Sequence, residues 1–240
     1  MSINIAMFKT IFHQYSRHAN KTFNWFPLDS EERYNENIKN NLNKLQEFDW
    51  TDSTFTYKFN SHGFRCDEFT SDPSIIFLGC SNTMGIGLPL EYNWPTLVSK
   101  ELDLKMINLG IGGSGADTAF RLANHYITQL QPKIVIYLES LPARLSLMTQ
   151  RTIHDFLPSI YPKEFEKFFL EWISFEENLT LNLLKHNLAI DSLCSKHNIK
   201  YIHMPLASFE HLDNARDLMH YGRKSNISLS KKVLDKIGRA

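Results

Sequence analysis

The strongest constraint on the fold is an alternation that begins near residue 74. Four short, continuous apolar runs stand at residues 74–79 (SIIFLG), 105–109 (KMINL), 133–138 (KIVIYL) and 200–204 (KYIHM), with segments of helical periodicity between them. A strand with one face in water alternates apolar and polar residues. A run that is apolar throughout is buried on both faces, and strands of that kind separated by helices predict a parallel sheet covered on each side. The intervening helices are expected at 94–102, with Pro95 in the first turn, and at 116–130, through Phe120, Leu122, Ala123, Tyr126, Ile127 and Leu130. Residues 163–197 read as mostly helical, 144–162 as irregular, and 225–237 as the closing helix.

Residues 1–72 have a different texture and are expected to form a helical and extended N-terminal extension to a main domain at 73–240. Ile5, Phe8, Phe12 and Tyr15 recur at three- and four-residue steps, as on one helix face. Residues 31–48 suit a surface helix, and the stretch TFTYKFNSHGF (54–64) alternates like an edge strand before the turn residues Asn60-Ser61-His62-Gly63. Trp25, Phe26 and Trp50 read as anchors for this extension, and Phe165, Phe168, Phe169, Trp172, Ile173 and Phe175 as a packing or lid helix.

Composition narrows the function classes. The chain has 240 residues with 26 Lys+Arg against 26 Asp+Glu, a formal net charge of zero. That balance speaks against a nucleic-acid partner and against a basic membrane-surface protein. The uncharged run 73–90 is long enough to suggest a span, but Gly79, Ser81, Asn82, Thr83, Gly85, Gly87 and Pro89 would strand polar groups in lipid, so it reads as a strand entering a loop. The three cysteines, Cys66, Cys80 and Cys194, have no zinc-ligand spacing and point to a reducing, cytoplasmic compartment. The first twenty residues show no secretory leader pattern.

In parallel α/β sheets ligands sit at the carboxyl ends of the strands. The first strand end delivers Ser81 in the loop Gly79-Cys80-Ser81-Asn82-Thr83. The second delivers a glycine loop at 110–113, whose N–H groups can stabilise an oxyanion. The last loop delivers Asp217 and His220, three apart, close enough for the carboxylate to hold the imidazole with Nε2 free as a base. Side chains alternate on leaving a strand, so Cys80 is expected to point away from Ser81 into packing.

These residues carry a family resemblance. Gly79 to Thr83 resembles the GDSxT nucleophile block of the SGNH (GDSL) hydrolases, Asn108 to Gly113 resembles their second block, and Asp217 with His220 resembles their DxxH block. The stretch Asn60-Ser61-His62-Gly63-Phe64-Arg65 is similar to a lead-in found in some members, including phage-encoded ones. The resemblance covers about residues 74–238. It implies a three-layer α/β/α, flavodoxin-like fold and hydrolysis of an acyl ester, for example an O-acetyl group on a carbohydrate. Ser81 would be the nucleophile, His220 the base and Asp217 its orienting acid, with the N–H groups of Ser81 and Gly113 as the oxyanion hole. No cofactor and no metal are implied; the partner is a small-molecule or glycan ester, and a homo-oligomer or a virion partner is left open. Two departures stand out: the Asp of the first block is Cys80 here, and the third strand end, Glu139-Ser140-Leu141-Pro142-Ala143-Arg144, lacks the asparagine of GxND.

Three rival readings follow from the same residues. Gly110-Ile111-Gly112-Gly113-Ser114-Gly115 matches GxGxxG, with Glu139 downstream, as in a dinucleotide-binding oxidoreductase, although Ser114 and Asp117 also suit a capping box for the next helix. His203, Glu210, His211, Asp213, Asp217 and His220 are metal-ligating residue types at no known motif spacing. The missing asparagine fits a structural or interaction protein that keeps the fold without activity.

Overall fold

The computed structural model describes residues 17–148 and 153–239. In chain order the elements are β1 (Thr22–Phe23), α1 (Glu31–Asn40), α2 (Leu42–Glu47), β2 (Tyr57–Lys58), β3 (Ser74–Leu78), α3 (Ser81–Met84), α4 (Trp94–Glu101), β4 (Lys105–Asn108), α5 (Ala116–Leu130), β5 (Ile134–Leu138), β6 (Leu145–Met148), β7 (Ile153–Phe156), α6 (Glu166–Ile173), α7 (Glu176–Lys196), β8 (Lys200–Met204) and α8 (Arg223–Arg239). The helical pattern through Ile5, Phe8, Phe12 and Tyr15 lies outside the described residues.

Strands β4, β3, β5 and β8 form, in that order, a four-stranded sheet. All three pairings are parallel, with Ile76 opposite Ile107 and Val135, and Ile136 opposite Ile202. The two-residue period of a strand then sorts the side chains into two cores. Ile75, Phe77, Ile134, Ile136 and Leu138 face Trp94 and Val98 of α4 and Leu229 and Val233 of α8. Ile76, Leu78, Val135 and Tyr137 face Leu122, Ala123 and Ile127 of α5 and Ile190 and Cys194 of α7. The result is the expected three-layer α/β/α arrangement around a parallel sheet. Burial pushes the thiols of Cys66 and Cys194 up to about 12, which keeps them protonated and inert. Cys80 is buried as well.

Several local expectations fail for physical reasons. Residues 145–148 and 153–156 are not irregular but pair as two antiparallel strands, β6 with β7. Their polar residues hid the pattern, and they have partners: Ser146 N–H donates to Asp117 Oδ2 at 3.2 Å and Ser146 Oγ to Asp155 at 2.7 Å. The polar helix at 31–48 is two helices broken at Asn41, where φ is −138°. The edge strand shrinks to Tyr57–Lys58, paired with Thr22–Phe23. The aromatic helix ends at Ile173, and α7 starts after the extended Phe175. The capping box at Ser114 and Asp117 does not form. Gly115 is the N-cap of α5, without a side-chain cap bond, while Ser114 Oγ donates to Gly79 O at 3.2 Å and Asp117 turns to Ser146 and to His186 Nε2, 3.3 Å away.

The sheet depends on tight packing across both faces. Ile136, fully buried in the second of its three layers, is expected to cost about 2–5 kcal/mol when truncated to alanine, read as a lower urea midpoint with an unchanged slope.

Candidate active site

A cavity of about 750 Å³ lies between Pro73 and Lys105, at the amino ends of β3 and β4. Chemistry in a parallel sheet belongs at the other edge, where the candidate residues are.

Leaving β3, the chain turns at Cys80, whose carbonyl accepts the N–H groups of Thr83 and Met84 at 3.0 Å each, so Ser81 opens α3. Gly85 ends this single turn at φ +82°, and Ser81 O accepts from Gly85 N–H at 2.8 Å and Ile86 N–H at 3.2 Å. Two side-chain amides brace it: Asn93 and Asn108 both donate to Thr83 O at 2.8 Å. Asn108 Oδ1 also accepts Gly110 N–H at 2.9 Å and so bends the glycine loop against α3. The approach admits no side chain, since a Cβ on Gly110 would stand 2.5 Å from Met84 N. The loop after α3 is held by buried Arg65, which donates to Gly85 O, to Met84 O at 3.4 Å and to Leu88 O at 2.7 Å. Burial lowers the pKa of this guanidinium to about 10, still charged at neutral pH, and it lies 4.2 Å from the Tyr57 ring centroid.

The second half of the site is a tight turn between Asn214 and Tyr221, which form an antiparallel bridge. Asp217 Oδ1 accepts the N–H groups of Met219 and His220 at 3.0 Å each, an Asx-type turn with Leu218 at φ +56°. Asp217 Oδ2 accepts from His220 Nδ1. The Asp217 side chain is fully buried, whereas that of His220 is 11% exposed and its Nε2 has no protein partner among the described residues. Gly87 ties this turn to the α3 loop. Its carbonyl accepts Arg216 N–H at 3.1 Å, and a Cβ on it would lie 3.2 Å from Asp217 Oδ1. Asp217 and His220 are thus hydrogen-bonded to each other and packed on the loop that begins at Ser81. No hydrogen bond joins Ser81 Oγ to His220, and the hydroxyl, on a residue 7% exposed, has no protein partner among the described residues.

Among the described residues the N–H groups of Ser81 and Gly113 donate to no protein acceptor, which leaves both available to a ligand. The third strand end supplies no amide side chain: Ser140 is fully buried and Leu141 is 44% exposed. Arg144 donates to Ser114 O at 3.1 Å and so braces the glycine loop from behind. Glu139 is engaged internally, by His203 Nε2 at 2.7 Å and Leu206 N–H at 3.1 Å, and the His203 hydrogen bond holds its carboxyl below the usual value of 4.5. It is not free to bind a ribose as the dinucleotide reading requires. The polar tail segment divides into separate pairs: Glu210 with Lys232, Asp213 with Ser225, Asp217 with His220. Among the described residues no group of three or more His, Cys, Asp or Glu side chains is arranged to hold a metal ion.

One part of the site was not read from the sequence. Arg216, next to Asp217, is 2% exposed and forms a two-point ion pair with Asp29, through Nε at 3.1 Å and Nη2 at 2.7 Å. Its guanidinium lies 4.1 Å and 3.9 Å from the ring centroids of Trp25 and Phe55. Trp50 Nε1 donates to Asn214 O at 2.8 Å. Residues 24–55 therefore grip the turn that carries Asp217 and His220. Nothing in the spacing of Asp29 and Arg216 signals this; their proximity to aromatic residues is the only trace.

No family model matches the chain, and no curated protein does. Solved structures similar to it include a psychrotrophic esterase, EstA, from Pseudoalteromonas sp., at 14% identity over 70% of this chain and 98% of that one, with a TM-score of 0.37. An acetyl xylan esterase, Est2A, from Butyrivibrio proteoclasticus is 14% identical over 78% of this chain and 67% of that one, with a TM-score of 0.39. A lipase/acylhydrolase from Enterococcus faecalis is 15% identical over 70% and 96%, with a TM-score of 0.38. Likenesses this low assign neither a family nor an activity to the chain.

Asp29→Ala leaves a buried guanidinium without its counter-ion and is expected to cost about 3–5 kcal/mol, with part regained when Arg216→Met is added; a double-mutant cycle in urea measures both. The Glu139–His203 contact gives a pH signature. A carboxyl lowered in the folded state stabilises above its unfolded pKa, and that contribution is lost as pH falls through the folded value. Glu139→Gln is expected to be less stable than wild type at neutral pH, and the gap in urea midpoint should close as pH falls below the carboxyl's ordinary value and through its lowered folded one.

Proposed function

We propose that the chain is a serine hydrolase that cleaves a carboxylic acyl ester, with Ser81 as nucleophile, His220 as general base and Asp217 as the residue that orients and stabilises the imidazolium. The observation that carries this reading is the buried Asp217–His220 pair, packed on the Ser81 loop with Nε2 unpartnered. The family resemblance of the three sequence blocks supports it. Ser81 Oγ attacks the ester carbonyl while Nε2 takes its proton. The N–H groups of Ser81 and Gly113 receive the oxyanion. The imidazolium then returns the proton to the leaving alcohol, and water, deprotonated by His220, releases the acid from the acyl-enzyme. The reaction needs no cofactor. A site without the third donor is expected to be slow, since one oxyanion donor is worth about 10²–10³ in rate. The substrate is a small-molecule or glycan ester.

The second reading, a structural or interaction protein on the same fold, draws on two observations: the absence of a Ser81–His220 hydrogen bond and the exposed Leu141 in place of a third donor. Unliganded sites often hold such bonds long, so chemistry decides between the two. A fluorophosphonate probe is expected to label the wild-type protein at Ser81 and not the Ser81→Ala variant, whose circular dichroism and melting curve remain those of the wild type. A folded wild-type protein that takes up no probe and turns over no p-nitrophenyl ester would leave the structural reading.

A further inference from the structure

Beside the glycine loop lies a cavity of about 300 Å³ whose lining includes the backbone of Gly110–Gly113. Met84 and Ile86, from α3 and the loop that follows it, form one wall. Phe26, Leu28 and Phe59, from the segment before β3, line it as well, and so does Leu157. Arg17 and His18 supply the polar side chains at its edge. The cavity meets the glycine loop directly: a Cβ on Gly112 would lie 3.1 Å from Ile86 Cδ1, and one on Gly113 would lie 3.4 Å from Leu157 Cδ2.

The exposure of its lining marks it as more than a packing gap. Leu28 is 45% exposed and Ile160 66% exposed, so two large apolar side chains of the lining stand partly in water. Leu28 also has φ +76°, a left-handed conformation that a branched side chain adopts only at a cost. A glycine there would remove the strain, yet the chain places a leucine at the rim. That conformation belongs to the turn Phe26-Pro27-Leu28-Asp29, closed by the bridge between Phe26 and Asp29, and it fixes where the Leu28 side chain stands.

We propose that this cavity receives the apolar acyl chain of the ester, so that the preferred substrate carries a medium-length saturated acyl group rather than acetyl, and that Phe26, Leu28 and Phe59 of the N-terminal segment set this choice. The inference rests on the reading of Ser81 and Gly113 as the reacting centre. With the carbonyl oxygen on the Gly113 N–H, the acyl carbon chain begins at the loop that lines the cavity. At roughly 30 Å³ each, the volume of a water molecule in the liquid, the space holds ~10 methylene-sized groups. An acetyl group would leave most of these apolar walls facing water, whereas a longer chain removes them from it.

The test uses the full chain and p-nitrophenyl acetate, butyrate, hexanoate and octanoate. We expect kcat/KM to rise about two- to fourfold per methylene up to hexanoate or octanoate. The double variant Leu28→Gly/Ile160→Ser should lower the hexanoate-to-acetate ratio of kcat/KM about tenfold. Its Tm should stay within about 3 °C of wild type, because relieved strain offsets the added freedom of glycine. A role in folding alone would shift Tm and leave the ratio in place. Calorimetric titration with octanoate into the Ser81→Ala protein separates this proposal from the assignment of the reaction. Saturable octanoate binding that is lost when Leu28→Gly/Ile160→Ser is added supports the pocket even if no ester is hydrolysed, an outcome that overturns only the catalytic reading. Best turnover with acetate, an unchanged ratio in the double variant, or no octanoate binding would each overturn the pocket.

Discussion

Burial of the sheet on both faces governs the rest of the molecule. A strand covered above and below by helices has no wet face, so its side chains must be apolar and its backbone groups must pair within the sheet. Ile75, Ile76, Phe77 and Leu78 of β3 are all fully buried. The candidate reacting groups are thereby displaced from the strands to the turns and loops at their carboxyl ends. Ser81 opens the short helix that follows β3, and Gly113 and the Asp217–His220 turn lie in loops at such ends.

Loops bring the opposite problem, because a residue that must hold its place cannot rely on regular secondary structure. The chain answers with buried polar side chains that bind backbone carbonyls. Asn93 and Asn108 converge on Thr83 O, and Arg65 spans the carbonyls from Met84 to Leu88. Arg216 does the same for the turn of Asp217, reaching Ser53 O at 3.1 Å as well as Asp29. Such groups are costly to bury and therefore tolerate few arrangements. They fix the loops more narrowly than apolar packing would.

The N-terminal segment takes part in both devices. Asp29, Trp25 and Trp50 hold the Asp217 turn from outside, and Phe26, Leu28 and Phe59 wall the cavity beside the glycine loop. Tyr57 joins the two: its hydroxyl donates to Asp29 at 2.5 Å and accepts Gly87 N–H at 2.8 Å. On the proposed function, this segment shapes the place where an ester would bind while contributing none of the reacting groups.

The sequence by itself determined what depends on close neighbours along the chain. The apolar runs set the parallel sheet and its two cores, because strand and helix periods are read within a few residues. The spacing of Asp217 and His220 set their hydrogen bond, because three residues close one turn. Local reading failed where a distant partner won. Asp117 left the capping box for His186 and Ser146, and polar Ser146 and Asp155 concealed an antiparallel strand pair. Only the tertiary structure decided that Arg216 meets Asp29 across 187 positions, and that residues from five separate segments line one cavity. Contacts of that kind carry no periodic signature, since they are selected by which surfaces the packed layers bring together.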